Sequence, residues 1–174
     1  MQRLMAIVGV VIALGAATAM HGQSQQRRRI VGGPESAGEG FRMDGRTRMT
    51  TATATLRFTG NDGRPWYSID FVTSYEGMGD RPTSPPSVVD MIVTEHPANE
   101  DAPEMTMRLN GEPLSLATRL YSRRSVASTI SLEELLRMTN ADAIVEQAFD
   151  TELEFSAQQL GSLRVRVQSW AGRR

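Results

Sequence analysis

From Thr47 onward the side chains alternate: Thr50, Ala52, Ala54, Leu56 and Phe58 fall on one face, and Met49, Thr51, Thr53, Thr55 and Arg57 on the other. A period of two over so long a run, rich in β-branched threonine, suits a half-buried antiparallel strand. A helix would scatter the apolar set around its axis. Gly60-Asn61-Asp62-Gly63 follows, residues that accept positive φ at little steric cost, and Tyr67, Ile69 and Phe71 resume the alternation between Trp66 and Tyr75. The pair predicts a β-hairpin, which needs further strands before it can bury a face.

The rest of the chain supplies them. Residues 76 to 87 carry Gly77, Gly79, Pro82, Pro85 and Pro86, a density of φ-fixing and φ-freeing residues that predicts a long loop. Val88 to Thr94 reads as a third strand, and His96 to Pro103 as a second, acidic loop. Met105, Met107 and Leu109 share one face of a fourth strand, and Asn110-Gly111 is a turn signal leading to Leu114, Leu116, Thr118 and Leu120 in a fifth. Arg123-Arg124 marks an exposed turn, after which Val126, Ser128 and Ile130 continue the alternation.

Two helices are placed by their caps. Ser131 with Glu134, and Ser156 with Gln159, each put a hydroxyl where it accepts from a first-turn N–H and a longer side chain where it reaches back to the cap. The first helix is expected from Leu132 to about Thr139. The second runs from Ala157 to about Ala171, with Leu160, Leu163, Val167 and Trp170 as its buried stripe. Ala143 to Phe149 and Thr151 to Phe155 read as a closing hairpin between them. The expected fold is mainly β: a single antiparallel β-sandwich or strongly curved sheet of seven to eight strands with two short helices, the second C-terminal. An α+β arrangement is the alternative.

Ahead of this domain the chain has a different character. Arg3 is followed by an uncharged stretch from Leu4 to Met20 that ends in Ala16-Ala17-Thr18-Ala19, the pattern of a cleavable secretory signal with small residues at the cut. Residues 1–19 are therefore expected to be a signal peptide cut before Met20, residues 20–46 a glycine-rich flexible tether, and residues 47–174 one β-rich domain. The expected location is periplasmic or secreted, with no stable membrane span after cleavage. The chain has no cysteine, so an exported domain must be held by packing rather than by disulfides or thiolate metal sites. Its cations are all arginine and nearly balance the acids, for a formal charge of −1, which provides no general field for nucleic acid.

Arg29-Ile30-Val31-Gly32-Gly33 resembles, over five residues, the activation site of trypsin-like serine proteases. That resemblance implies a catalytic histidine in an Ala-Ala-His-Cys setting and a serine in Gly-Asp-Ser-Gly-Gly. This chain contains neither.

The candidate chemistry is sparse. His96 beside Glu95, with Asp90, Glu100 and Asp101 in the neighbouring sequence, is the weak candidate for a metal site or a general base, and no cofactor is expected. Asp62 belongs to a turn that lacks the remaining ligands of a calcium loop, and Asp70, Glu76 and Asp80 are carboxylates without a defined separation. Arg119, Arg123 and Arg124 would join Arg164 and Arg166 in a basic patch if the last helix lay beside the fifth and sixth strands. Guanidinium groups so gathered suit carboxylates or phosphates. Trp66 and Tyr75 are candidate stacking surfaces. These features favour an exported, non-catalytic binding or interaction module that meets an envelope protein, peptide or polymer. The alternative is a small envelope hydrolase or metal-dependent enzyme centred on His96.

Overall fold

A computed structural model describes residues 28–33, 37–60, 65–79, 81–95, 105–148 and 151–172. Its strands, in chain order, are β1 (Arg28–Val31), β2 (Ala37–Asp44), β3 (Met49–Thr59), β4 (Pro65–Met78), β5 (Arg81–Pro82), β6 (Val88–Glu95), β7 (Met105–Leu109), β8 (Glu112–Leu114), β9 (Thr118–Ser122) and β10 (Ser125–Ser131). Helix α1 (Leu132–Thr139), strands β11 (Ile144–Ala148) and β12 (Thr151–Glu154) and helix α2 (Ala157–Trp170) complete the chain. One sheet has the order β2-β3-β4-β6-β10-β9, with β5 folded back on β4, and the other has the order β1-β12-β11-β7-β8. The molecule is a mainly β, sandwich-like fold with a C-terminal helix, as the alternation and the capping signals require.

The register shows how the alternation is used. Leu56 pairs with Ile69 and Ala54 with Phe71 across β3 and β4, and Ile69 pairs with Val93 and Phe71 with Met91 across β4 and β6. One continuous apolar face results. Facing it, Met105 and Met107 of β7, Ile144 and Ala148 of β11 and Leu153 of β12 are buried, and Leu135, Met138, Leu160, Leu163, Val167 and Trp170 of the two helices join the same core. Phe58 meets Phe155 edge to face, with ring centroids 5.6 Å apart. The Tyr67 hydroxyl lies 2.9 Å from Thr151 Oγ1 and so links the two sheets through a buried polar contact.

Both capping boxes form. Ser131 accepts from the Glu134 N–H at 3.1 Å while the Glu134 carboxylate accepts from the Ser131 N–H at 2.9 Å, and Ser156 and Gln159 repeat the exchange. Asn110 takes a φ of 51°, and its Oδ1 accepts from the backbone of Asp142 and Ala143, so the β7–β8 turn is tied to the entry of β11.

The chain departs from expectation in four places. The span assigned to a tether contains β1 and β2: Ile30 of β1 is buried beside β12 in a parallel pairing, and β2 pairs along its length with β3. The first 27 residues, with the signal peptide and its cut, lie outside the described residues. The loop expected over residues 76 to 87 begins with the end of β4 and holds β5, whose backbone folds onto Gly77 and Met78. The single strand expected from Leu114 to Leu120 is two, because β8 pairs in one sheet and β9 in the other, with the crossing at residues 115–117. The sandwich thus has more strands than the seven or eight expected, the additions being short or at sheet margins.

Candidate functional site

A sandwich of two open sheets has four edges, and these differ sharply. β1 is four residues long and packs Ile30 into the core, while β8 is three residues long and contains Pro113, which has no N–H to offer an incoming strand. β2 is eight residues long and is exposed over residues 40–44, but it carries both signs of charge, Arg42 and Asp44, and α2 touches it, with the Arg166 guanidinium 5.9 Å from the Phe41 ring centroid. β9 has no proline, and every one of its five residues is exposed; Leu120 and Tyr121 retain 63% and 59% of their surface. Among the described residues β9 pairs with β10 alone.

The sequence Thr-Arg-Leu-Tyr-Ser explains how such an edge is held. Leu120 pairs with Val126 and Thr118 with Ser128, both inward positions of β10, whereas Arg119 pairs with Ala127 on the outer face. Ser122 pairs with Ser125 one step after Leu120 meets Val126, so Tyr121 is the extra residue of a β-bulge. On the outer face Arg119 donates from Nη1 to Thr129 at 2.9 Å and from Nη2 to Asp90 at 3.2 Å, and the Thr129 hydroxyl donates to the same Asp90 oxygen at 2.6 Å. This triad fixes the Arg119 side chain across three strands. Arg123 and Arg124 form the adjoining turn, where the Arg124 N–H donates to Ser122 Oγ and its carbonyl accepts from the Glu95 N–H at 3.0 Å.

The arginines named from the sequence are therefore divided. Arg119, Arg123 and Arg124 stand together at the β9 end of the sheet. Arg164 donates twice to the Thr139 carbonyl, at 2.8 and 2.6 Å, and so caps the C-terminus of α1, and Arg166 lies at the β2 end. The condition for one common patch, the last helix beside the fifth and sixth strands, is not met because the apolar stripe of α2 packs on α1 and the β2–β3 side. Tyr75 is 3% exposed, its ring in the core and its hydroxyl donating to the Gly79 carbonyl, so it offers no stacking face. Trp66 is half-buried and covers Gly60, where a Cβ would stand 2.3 Å from the indole Cε2.

The acids are also dispersed. Glu95 accepts from the Tyr67 hydroxyl at 3.1 Å, and His96, Glu100, Asp101, Asp62 and Asp80 lie outside the described residues. Asp70 accepts from Thr55, and six residues of extended strand separate it from Glu76, about 20 Å. Among the described residues no three His, Cys, Asp or Glu side chains gather as metal ligands. Among the described residues, one open cleft of about 510 Å³ lies between the β7–β8 hairpin and Arg137 and Asn140, and another of about 450 Å³ between Met43, Arg48, Glu76 and Met78. Neither contains a nucleophile paired with a base.

One titratable residue went unremarked in the sequence. Glu146 occupies an inward position of β11 between Ile144 and Ala148, is fully buried, and has no hydrogen-bond partner at either carboxylate oxygen. Its cross-strand neighbours are Met107 and Leu153. Burial without a compensating charge pushes its carboxyl up to about 8, so it is held mainly protonated at neutral pH. The alternation of Ile144, Glu146 and Ala148 was the available signal. No family model, curated protein or solved structure matches the chain.

Proposed function

We propose that this chain is an exported, non-catalytic interaction module that meets an envelope protein or peptide through the β9 margin. The observation that supports it is the contrast among the four sheet edges: two are short, β2 is exposed but mixed in charge and touched by α2, and β9 is exposed, with Leu120 and Tyr121 beside Arg119, Arg123 and Arg124 and no acid. Unpaired strand edges invite pairing, and proteins that do not use them usually cover or interrupt them. Export rests on the leader sequence described above, and a near-neutral charge supports a partner other than nucleic acid.

The test is site-directed photocrosslinking in the producing cell. A photoreactive residue at Tyr121 should give a discrete adduct with an envelope component, and the same residue at Ser162, exposed on α2, should not. Equal adducts from both positions, or none, would remove the reading. So would turnover of a substrate by the purified protein in a hydrolase screen that His96→Ala abolishes, since that would establish the enzymatic alternative.

A further inference from the structure

We infer that the β9 edge receives an extended peptide strand in which acidic and apolar residues alternate. The inference rests on the interaction-module reading and specifies the partner's chemistry.

A strand added to a sheet edge is held by main-chain hydrogen bonds, and its side chains fall alternately on the two faces of the sheet it extends. On β9 those faces differ. Thr118 and Leu120 point to the side of the sandwich core, yet Leu120 remains largely exposed there. Arg119 points to the other side, held in place by Asp90 and Thr129. An incoming strand would therefore set an apolar residue against Leu120 and, one position along, a residue against the Arg119 guanidinium. Neighbouring side chains on adjacent strands lie about 5 Å apart, within reach of an ion pair.

Charge selects the second residue. β9 and its turn hold Arg119, Arg123 and Arg124 and no acid. β10 beside them has no acid, and the carboxylates of β6, one strand further in, are Asp90, which offsets Arg119, and Glu95, which is engaged by Tyr67. Arg123 and Arg124 thus leave an excess of positive charge along the edge. A second copy of this chain would bring the same three arginines to the contact, whereas glutamate or aspartate at alternate positions complements them. The exposed aromatic ring of Tyr121, turned out at the bulge, supplies an apolar contact at the end of the added strand.

The experiment uses protein purified from the exported fraction and capped synthetic peptides of alternating valine and glutamate. Titration should give saturable binding, with slowed hydrogen exchange of the β9 amides. Peptides of alternating valine and lysine should bind at least tenfold more weakly. Changing Arg123 and Arg124 together to glutamate should weaken the acidic peptide by about fivefold, the sum expected for two exposed ion pairs, and leaves the Arg119–Asp90 pair intact.

N-methylation distinguishes strand addition from simple charge attraction. Methyl groups on every second peptide nitrogen leave the charge unchanged but remove the donors along one edge. One methylation phase should therefore abolish binding and the other preserve it. Equal binding by both phases, binding without protection of β9, or a preference for the lysine peptide would overturn the inference. A concentration-dependent dimer whose β9 amides are protected would also overturn it, in favour of a second copy. If the peptides fail while the Tyr121 crosslink persists, the inference falls and the interaction-module reading stands. If both fail, both fall.

Discussion

Glu146 is costly to bury as an anion, and its surroundings determine the form in which it is carried. With no hydrogen-bond partner at either oxygen and Met107 and Leu153 on either side, nothing stabilises the charge, and the proton stays on to about pH 8 against an ordinary value of 4.5. The native state thus binds this proton more tightly than the unfolded chain does. Its contribution to stability is complete below the unfolded value and is lost as pH rises through about 8. Thermal melts from pH 5 to pH 9 should show a decline of roughly 3–5 kcal/mol from this residue. In Glu146→Gln that decline should disappear, and a Glu146→Gln protein that kept the wild-type pH profile would assign it elsewhere. Gly32 gives a second prediction at this scale. A Cβ there would stand 1.6 Å from Gln159 Oε1, and Gln159 cannot swing freely because it is buried, caps α2 and donates to the Arg57 carbonyl at 3.1 Å. Gly32→Ala should cost roughly 1–3 kcal/mol, the usual range for overpacking. Removing the obstructing side chain with Gln159→Ala should recover part of that loss, so the two changes should be non-additive in a double-mutant cycle.

At the scale of elements, local chemistry was legible and long-range placement was not. Ser131 and Glu134, like Ser156 and Gln159, act within one turn, so their boxes specify helix starts whatever surrounds them. Asn110-Gly111 likewise encodes its own turn. β1 is the opposite case. Nothing in Arg-Arg-Ile-Val announces a strand until β12 is alongside, and Ile30 becomes core only through that distant partner. The alternation of Leu114, Leu116, Thr118 and Leu120 describes a face but cannot tell that the chain changes sheets midway, because a period of two is the same in either sheet. The arginine patch depended on where α2 packs, which its own stripe does not specify. The cap makes a direct prediction: Ser131→Ala should lower stability by about 1 kcal/mol, read by chemical denaturation, with the β-sheet signal unchanged. The pKa of Glu134, lowered first by its bond from the Ser131 backbone and then by the Ser131 hydroxyl, should move part of the way back toward the ordinary value in the same variant, which keeps the backbone bond.

At the scale of the molecule, the N-terminal boundary of the folded domain can be measured by truncation. A chain beginning at Arg28 keeps β1 and should melt with the protein that begins at Met20. A chain beginning at Pro34 loses the burial of Ile30, the Gly32 N–H to Glu154 carbonyl bond of 2.8 Å and the Arg29–Glu154 pair. That chain should be less stable by roughly 2–4 kcal/mol, enough to lower the melting temperature by several degrees. Equal melting temperatures for the two truncations would show that β1 is an ornament of the second sheet and not part of its edge.

The pairing of β1 with β12 also sets the order in which the molecule can be completed. Arg29 and its partner Glu154 are separated by 125 positions. A ribosome adding about 5–20 residues per second therefore makes the first strand on the order of ten seconds before its partner exists. Through that interval the second sheet cannot close, and α2, whose Gln159 fills the space beside Gly32, has not been made. The design defers closure of the second sheet until β12 and α2, the last elements of the chain, have been made.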